Sequence, residues 1–403
     1  MRLLRGCAAI LLTAGLVAIG AGLFYDGRFD VPILWLRDTL VAGELTSCTH
    51  PLDDVLPEEP AIPVAVPAMP TEGDTGLWYE GLSDHQKMVY GTFLQALRDR
   101  QERFVLEDCS TSDAEAAYWA IRGDHPELFW LGGYDYGEQD GSVLVVPEFT
   151  VAPDQIDDVQ AQIDERTNEA LTGLSPDASS YERLRHCYEW IVENTDYGEG
   201  ARDQTVVGVF VDREAVCAGY SRALQYLLAK QGIACTYVRG EAQGRGTHGW
   251  NLVWLDGTPT YVDVTWGDPA FVGDDGTILP GDEVTFDYLC ITSEEISRDH
   301  TAIEPTNLPT CDSTAYDYYR LNGTYLDSFS ALALRDLVIA AGEQGQTTLR
   351  FKLASQEAYE EALAFVSSQE VFRCFDGHVD GVTIANQDEL RIIAIDWAPE
   401  ELG

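Results

Sequence analysis

Three residues have types and positions suited to covalent catalysis: Cys217, His248 and Asp263. Cys217 opens the run CAGYSRALQYLLAK, whose apolar spacing predicts a helix stopped by Gly232. A thiol at a helix start faces free N–H groups and the positive end of the helix dipole, which favour a thiolate. An unperturbed cysteine with a pKa of ~8.5 is only ~3% thiolate at pH 7. Activated thiols lie about three units lower, a shift that requires ~4 kcal/mol, more than a helix terminus supplies. A neighbouring imidazolium has to contribute the rest.

His248 is placed to be that neighbour. It begins the strand-like run HGWNLVWL, and Asp263 lies in the next run, TYVDVTW, with Asp256-Gly257 as a turn between them. In an antiparallel hairpin, paired residue numbers add to a constant. A loop of Asp256-Gly257 makes it 513, and a loop of Asp256 to Pro259 makes it 515. Either odd constant puts His248 and Asp263 on one sheet face, because side chains alternate with period 2. A loop of odd length would separate them unless a bulge intervened. In this reading Cys217 is the nucleophile, and His248 is the general base and then the acid. Asp263 orients the imidazole and supports its charge. The bland alternative is a buried cysteine that acts as a small hydrophobe and a histidine that is merely hydrogen-bonded.

Other positions have secondary roles. The backbone N–H of Cys217 is one expected oxyanion donor, and Gln204, upstream, is a candidate side-chain donor. Trp250 shares a face with His248 and either excludes water there or is a core aromatic. Asn251 also flanks the histidine. No C-x-x-C, H-E-x-x-H or phosphate-cradling glycine loop occurs, and His186-Cys187 lacks a second ligand pair. Neither metal nor cofactor is expected.

The elements that must position these residues follow from pattern. Ser83 caps a helix carrying Met88, Val89, Phe93, Leu94 and Leu97, and residues 113–122 form a shorter one. Glu127–Tyr136 and VLVVPEFTV suggest strands. Helices are expected from Pro153 to about Leu174 and from Ser179 to about Asn194. Beyond Cys217 come the helix and then strands in ACTYVRGE, HGWNLVWL and TYVDVTW. Residues 313–403 alternate helical and strand patterns as a small separate α+β unit. The expected class is α+β: an N-terminal region at 77–178, a core at 179–312 and the C-terminal unit.

Upstream, Arg2 and Arg5 precede the uncharged run Cys7–Phe24. Eighteen residues at 1.5 Å each span ~27 Å, nearly a bilayer core. The basic flank keeps Arg2 and Arg5 inside and exports the remainder, as an uncleaved anchor (residues 1–24) or as a cleaved signal peptide. Residues 25–76 contain six prolines between Pro51 and Pro70 and read as a stalk. With 25 Lys and Arg against 68 Asp and Glu, the net charge is −43. That excludes an ordinary electrostatic nucleic-acid binder and disfavours docking on anionic lipid, so membrane contact is expected through the N-terminal segment alone. Outside the cytoplasm cysteines tend to pair, and Cys290 with Cys311 is the expected pair.

The stretches AVCAGYSRALQYLLAKQGIACTYVRG, HGWNLVWLDG and TYVDVTWGDP resemble the core of the transglutaminase-like superfamily. They are similar in particular to bacterial exported transglutaminase-domain proteins and the related kyphoscoliosis-peptidase-like branch. The similarity covers roughly 180–270, with weaker likeness in HPELFW and FDYLCITSEEISRDH. It implies a papain-like core with a Cys-His-Asp triad, carried here by Cys217, His248 and Asp263. It also implies an enzyme that acts on amide bonds of a protein or peptide, at the cell surface if exported, through a thioester. Water as acceptor gives a peptidase or amidase, and a lysine amine gives a transglutaminase. Hydrolysis is preferred because water needs no acceptor site. The competing reading is a surface binding or scaffolding module that keeps the fold without turnover.

Overall fold

The computed structural model describes residues 62–71, 73–268, 284–376 and 379–399. The expected anchor and most of the expected stalk lie outside these residues. Among the described residues, no helix is long and apolar enough to cross a membrane.

Serine caps start the early helices. Ser83, Ser110 and Ser179 each accept from a backbone N–H three residues on, and Gln86, Asp113 and Glu182 reciprocate. These capping boxes fix α1 (Asp84–Arg98), α2 (Thr111–Asp124) and, after α3 (Ile156–Ala170), α4 (Ser180–Asn194). Strands β1 (Phe104–Leu106), β2 (Leu131–Gln139) and β3 (Ser142–Phe149) form a small sheet in the order β1-β3-β2. A parallel pair follows, β4 (Asp196–Tyr197) with β5 (Glu214–Ala215), and leads into α5 (Cys217–Lys230). As expected, Gly232 takes positive φ just beyond that helix.

The central sheet is antiparallel, with the order β10-β6-β7-β8-β9. Its strands are β6 (Cys235–Ala242), β7 (Gly246–Leu255), β8 (Thr258–Val262), β9 (Leu289–Ile291) and β10 (His300–Glu304). Asn251 pairs with Val262 and Leu252 with Tyr261, the register of a two-residue Asp256-Gly257 loop. Both loop residues have positive φ, as a tight hairpin turn requires. Helix α5 is held against this sheet by Ser221 Oγ donating to the Gly249 carbonyl at 2.8 Å and by Asn251 Nδ2 donating to the Ser221 carbonyl at 3.0 Å.

Three expectations are corrected. TYVDVTW is not one strand. β8 stops at Val262, and Asp263 Oδ1 accepts the N–H groups of Thr265 and Trp266, turning the chain. The region before residue 179 and the core behind it share one hydrophobic interior, in which Phe93, Ile121, Val145, Leu184, Leu224 and Val253 are all buried together. Even the end of the proline-rich segment joins it: Ala65 is buried and donates its N–H to the Val105 carbonyl. Finally, Cys290 and Cys311 are free. Cys290 packs in the main interior and Cys311 in a separate cluster with Val238 and Trp250, so they do not pair.

The C-terminal residues form a sheet of their own, although Ile392 also packs with Val238 and Trp250 of the central sheet. Strands β11 (Tyr325–Leu326), β12 (Thr348–Leu353), β13 (Val379–Gln387) and β14 (Ile392–Pro399) form a sheet in the order β11-β12-β14-β13. Helices α6 (Ala331–Glu343) and α7 (Gln356–Val366) join it around a core of its own, including Leu334, Phe351 and Ile395.

Candidate active site

Cys217 is the first residue of α5 and is partly exposed. Val216, which caps the helix, offers no side-chain acceptor. The approach to this helix is tight. A Cβ on Gly219 would lie 2.2 Å from the Asp203 carbonyl oxygen, so only glycine lets the 203–204 segment pack there. That carbonyl accepts from Val216 N–H, and Arg222 on the same helix donates to the Gln204 carbonyl at 2.8 Å. Gln204 is thereby seated at the head of α5 with its side chain in solvent.

His248 is 2% exposed, and its Nε2 donates to Asp263 Oδ2 at 2.6 Å. The structure pairs His248 with Asp263, and the Cys217 sulfur acts on the same imidazole. Burial pushes the His248 pKa down, but the Asp263 carboxylate and the Cys217 sulfur outweigh it and raise it to about 10. Burial alone would raise the Asp263 pKa; the charges and N–H groups of His248 and His300 instead hold it well below the usual carboxylate range. Trp250 stacks beside His248 at 6.1 Å between centroids and is fully buried. Asn251 does not line the site. Its amide binds Ser221 and the Cys235 sulfur on the helix side of β7.

Two residues escaped the sequence reading. Tyr197 takes a hydrogen bond from the Cys217 backbone, beside the sulfur. His300, at the start of β10, sets Nε2 3.1 Å from Asp263 Oδ2 and Nδ1 2.5 Å from Asp299 Oδ1. The signal available was the Asp299-His300 pair at the end of the FDYLCITSEEISRDH stretch. His300 is remote from Asp263 in the chain, and only the closure of β10 onto β6 brings it in.

Donor atoms of His248, Asp263 and His300 all lie within 4.8 Å of one another. Ligands held at ~2.0–2.1 Å around a tetrahedral zinc stand ~3.3 Å apart. The 2.6 Å from His248 to Asp263 is shorter, and these atoms are already spent on one another. The set fits a hydrogen-bonded array rather than a metal centre.

Over residues 166–266 the chain matches the transglutaminase-like superfamily, and this segment, which carries Cys217, His248 and Asp263, is a transglutaminase-like domain. Among curated proteins, it is similar to kyphoscoliosis peptidase from Mus musculus, 27% identical over 126 residues. That similarity takes in 27% of this chain and 19% of the mouse protein, so it spans about a fifth of the relative's length. Among solved structures it is similar to a TGase, with a TM-score of 0.26 and 12% identity, over 45% of this chain and 52% of that one. It is also similar to a candidate cysteine protease from Cytophaga hutchinsonii, with a TM-score of 0.24 and 11% identity, over 45% of this chain and 79% of that one.

Proposed function

We propose that the protein is an exported cysteine-nucleophile enzyme that cleaves amide bonds in proteins or peptides. The observation that carries the reading is the buried His248–Asp263 pair at 2.6 Å, with Cys217 at a helix start acting on the same imidazole. The superfamily match supports a cysteine-based enzyme. The Cys217 thiolate attacks the amide carbonyl carbon, and the C–N bond breaks as imidazolium His248 gives its proton to the leaving amine. Water, deprotonated by His248, then attacks the thioester, releasing the acid and restoring the thiol–imidazole pair. The Cys217 backbone N–H and Gln204 are the proposed oxyanion donors, and Tyr197 yields its hold on that N–H to the substrate oxygen. Hydrolysis is preferred to transfer onto lysine because water needs no acceptor site, and the name of the mouse relative points the same way.

The test is mass spectrometry after limiting iodoacetamide. Burial pushes the other six described thiols up, Cys311 and Cys374 to about 11 and Cys109 and Cys187 to about 12, with Cys235 and Cys290 higher still. Cys217, partly exposed at a helix start, is expected to be labelled first. Preferential labelling elsewhere removes the nucleophile and leaves the binding module. The same labelling of intact cells with a membrane-impermeant reagent tests export, which fails if Cys217 reacts only after lysis.

A further inference from the structure

We propose that His300 is a fourth, positioning member of this site, a buried imidazolium that clamps Asp263 between two histidines. The inference rests on the catalytic reading of Cys217, His248 and Asp263. Its physical basis is the hydrogen-bond inventory. Asp263 is wholly buried and accepts four bonds: Thr265 and Trp266 N–H on Oδ1, and His248 and His300 Nε2 on Oδ2. A carboxylate has about four acceptor positions, so this one is saturated and cannot turn away from His248. His300 faces carboxylates at both nitrogens, Asp263 at 3.1 Å and Asp299 at 2.5 Å. An ionised carboxylate only accepts, so both ring nitrogens must carry protons, which is the cationic form.

The surroundings fit a cation. Trp250 and Trp266 place ring centroids 4.9 and 4.8 Å from His300, and Tyr288 lies 5.6 Å away. These rings exclude water from His300, and a ring face turned toward it attracts a positive charge. The ionisable groups facing His300 are Asp263 after β8, Asp299 before β10 and His248 on β7. With both histidines charged, the buried cluster of Asp263, Asp299, His248 and His300 is neutral; with His300 neutral it carries a surplus negative charge, at a large desolvation cost. Burial alone would strip the His300 proton, yet its two carboxylate partners raise its pKa. Gly240 of β6, opposite His248, keeps the space clear: a Cβ there would lie 2.5 Å from the Trp250 ring.

The array continues outward. The Tyr288 hydroxyl donates to the second Asp299 oxygen and accepts from Gln387 Nε2, on β13, at 3.1 Å. Asp263 is thus supported through His300, Asp299 and Tyr288 as far as the C-terminal sheet. The catalytic consequence is electrostatic as well as geometric. A second cation near Asp263 keeps His248 from becoming still more basic, so that its proton can leave for the departing amine.

The test uses the full chain labelled with 15N-histidine. One imidazole other than His248 should show both nitrogens protonated from pH 5 to pH 9, and its signals should vanish in H300Q. D299N should shift the Nδ1 proton of that ring and leave Nε2 in place. H300Q, with thermal melting to confirm folding, should raise the His248 titration midpoint by about one unit. Rates of acyl transfer from a thioester-forming p-nitroanilide peptide should drop at least tenfold in kcat, with KM within threefold. A neutral tautomer of His300 at pH 7 overturns the proposal, as does an unmoved His248 midpoint in H300Q. If H300Q does not fold, the wild-type and D299N spectra still decide. Limiting alkylation runs alongside. If Cys217 is not the first thiol labelled, the catalytic reading has failed; if it is and the His248 midpoint does not move, only the role of His300 has.

Discussion

His248 is pressed by opposite charges on its two sides, the Asp263 carboxylate and the Cys217 sulfur, and both raise its pKa toward about 10 against the cost of burial. Removing the sulfur tests that balance without touching the strand. In C217A the His248 midpoint, read by NMR, should fall by at least about one unit, because both the charge and the hydrogen bond of the partner are gone. The sign for stability follows. A histidine whose folded pKa is raised from 6.5 to about 10 lends stability that is complete below pH 6.5 and lost as pH rises toward 10. C217A should shed its share over a lower and narrower window. An unchanged midpoint would mean that no thiolate–imidazolium pair exists. Cys217 and His248 each open a strongly patterned run, and the hairpin register placed Asp263 on the face of His248. His300 was not legible in the sequence, because a histidine near a sheet edge leaves no mark of which carboxylate it meets.

At the scale of elements, the pattern located the helices closely, since serine caps and apolar spacing are local signals. It failed where tertiary contacts override them. TYVDVTW has strand composition throughout, yet Asp263 spends one carboxylate oxygen on the two N–H groups that end the strand. The turn fixes the carboxylate more firmly than a strand position would. The docking of the C-terminal sheet was equally hidden, because it runs through a buried lysine. Lys352 on β12 is fully buried between Glu295 at 2.6 Å and Asp317 at 2.7 Å. Lys352→Met would fit its methylenes but strand two carboxylates, and the expected loss is ~3–5 kcal/mol in urea unfolding. Adding Glu295→Gln should recover part of it, as one uncompensated charge is removed. A loss below ~1 kcal/mol would mean that water reaches the pair and that other contacts, such as Arg350 with Asp287, hold the unit.

The whole molecule carries a surplus that no local pairing cancels: 68 acidic residues against 25 basic ones. Two effects of salt then compete. Exposed ion pairs such as Arg100 with Asp157 weaken as ionic strength rises, but solvent already screens them and they contribute little. The unpaired carboxylates repel one another throughout the folded surface, and unfolding relieves that strain by spreading them apart. Screening shortens the reach of this repulsion from ~30 Å at 0.01 M salt to ~8 Å at 0.15 M. The buried groups at Lys352 and at His300 are shielded from salt by the protein itself, so they do not offset the gain. Raising sodium chloride from about 0.01 to about 0.15 M should therefore raise the melting temperature by about 1–2 °C, roughly 1 kcal/mol in a chain of 403 residues. Chloride is the right probe, because sulfate stabilises by exclusion whatever the charge. A melting temperature that falls with sodium chloride would show that local ion pairs, and not the surplus of carboxylates, set the electrostatic part of this fold's stability.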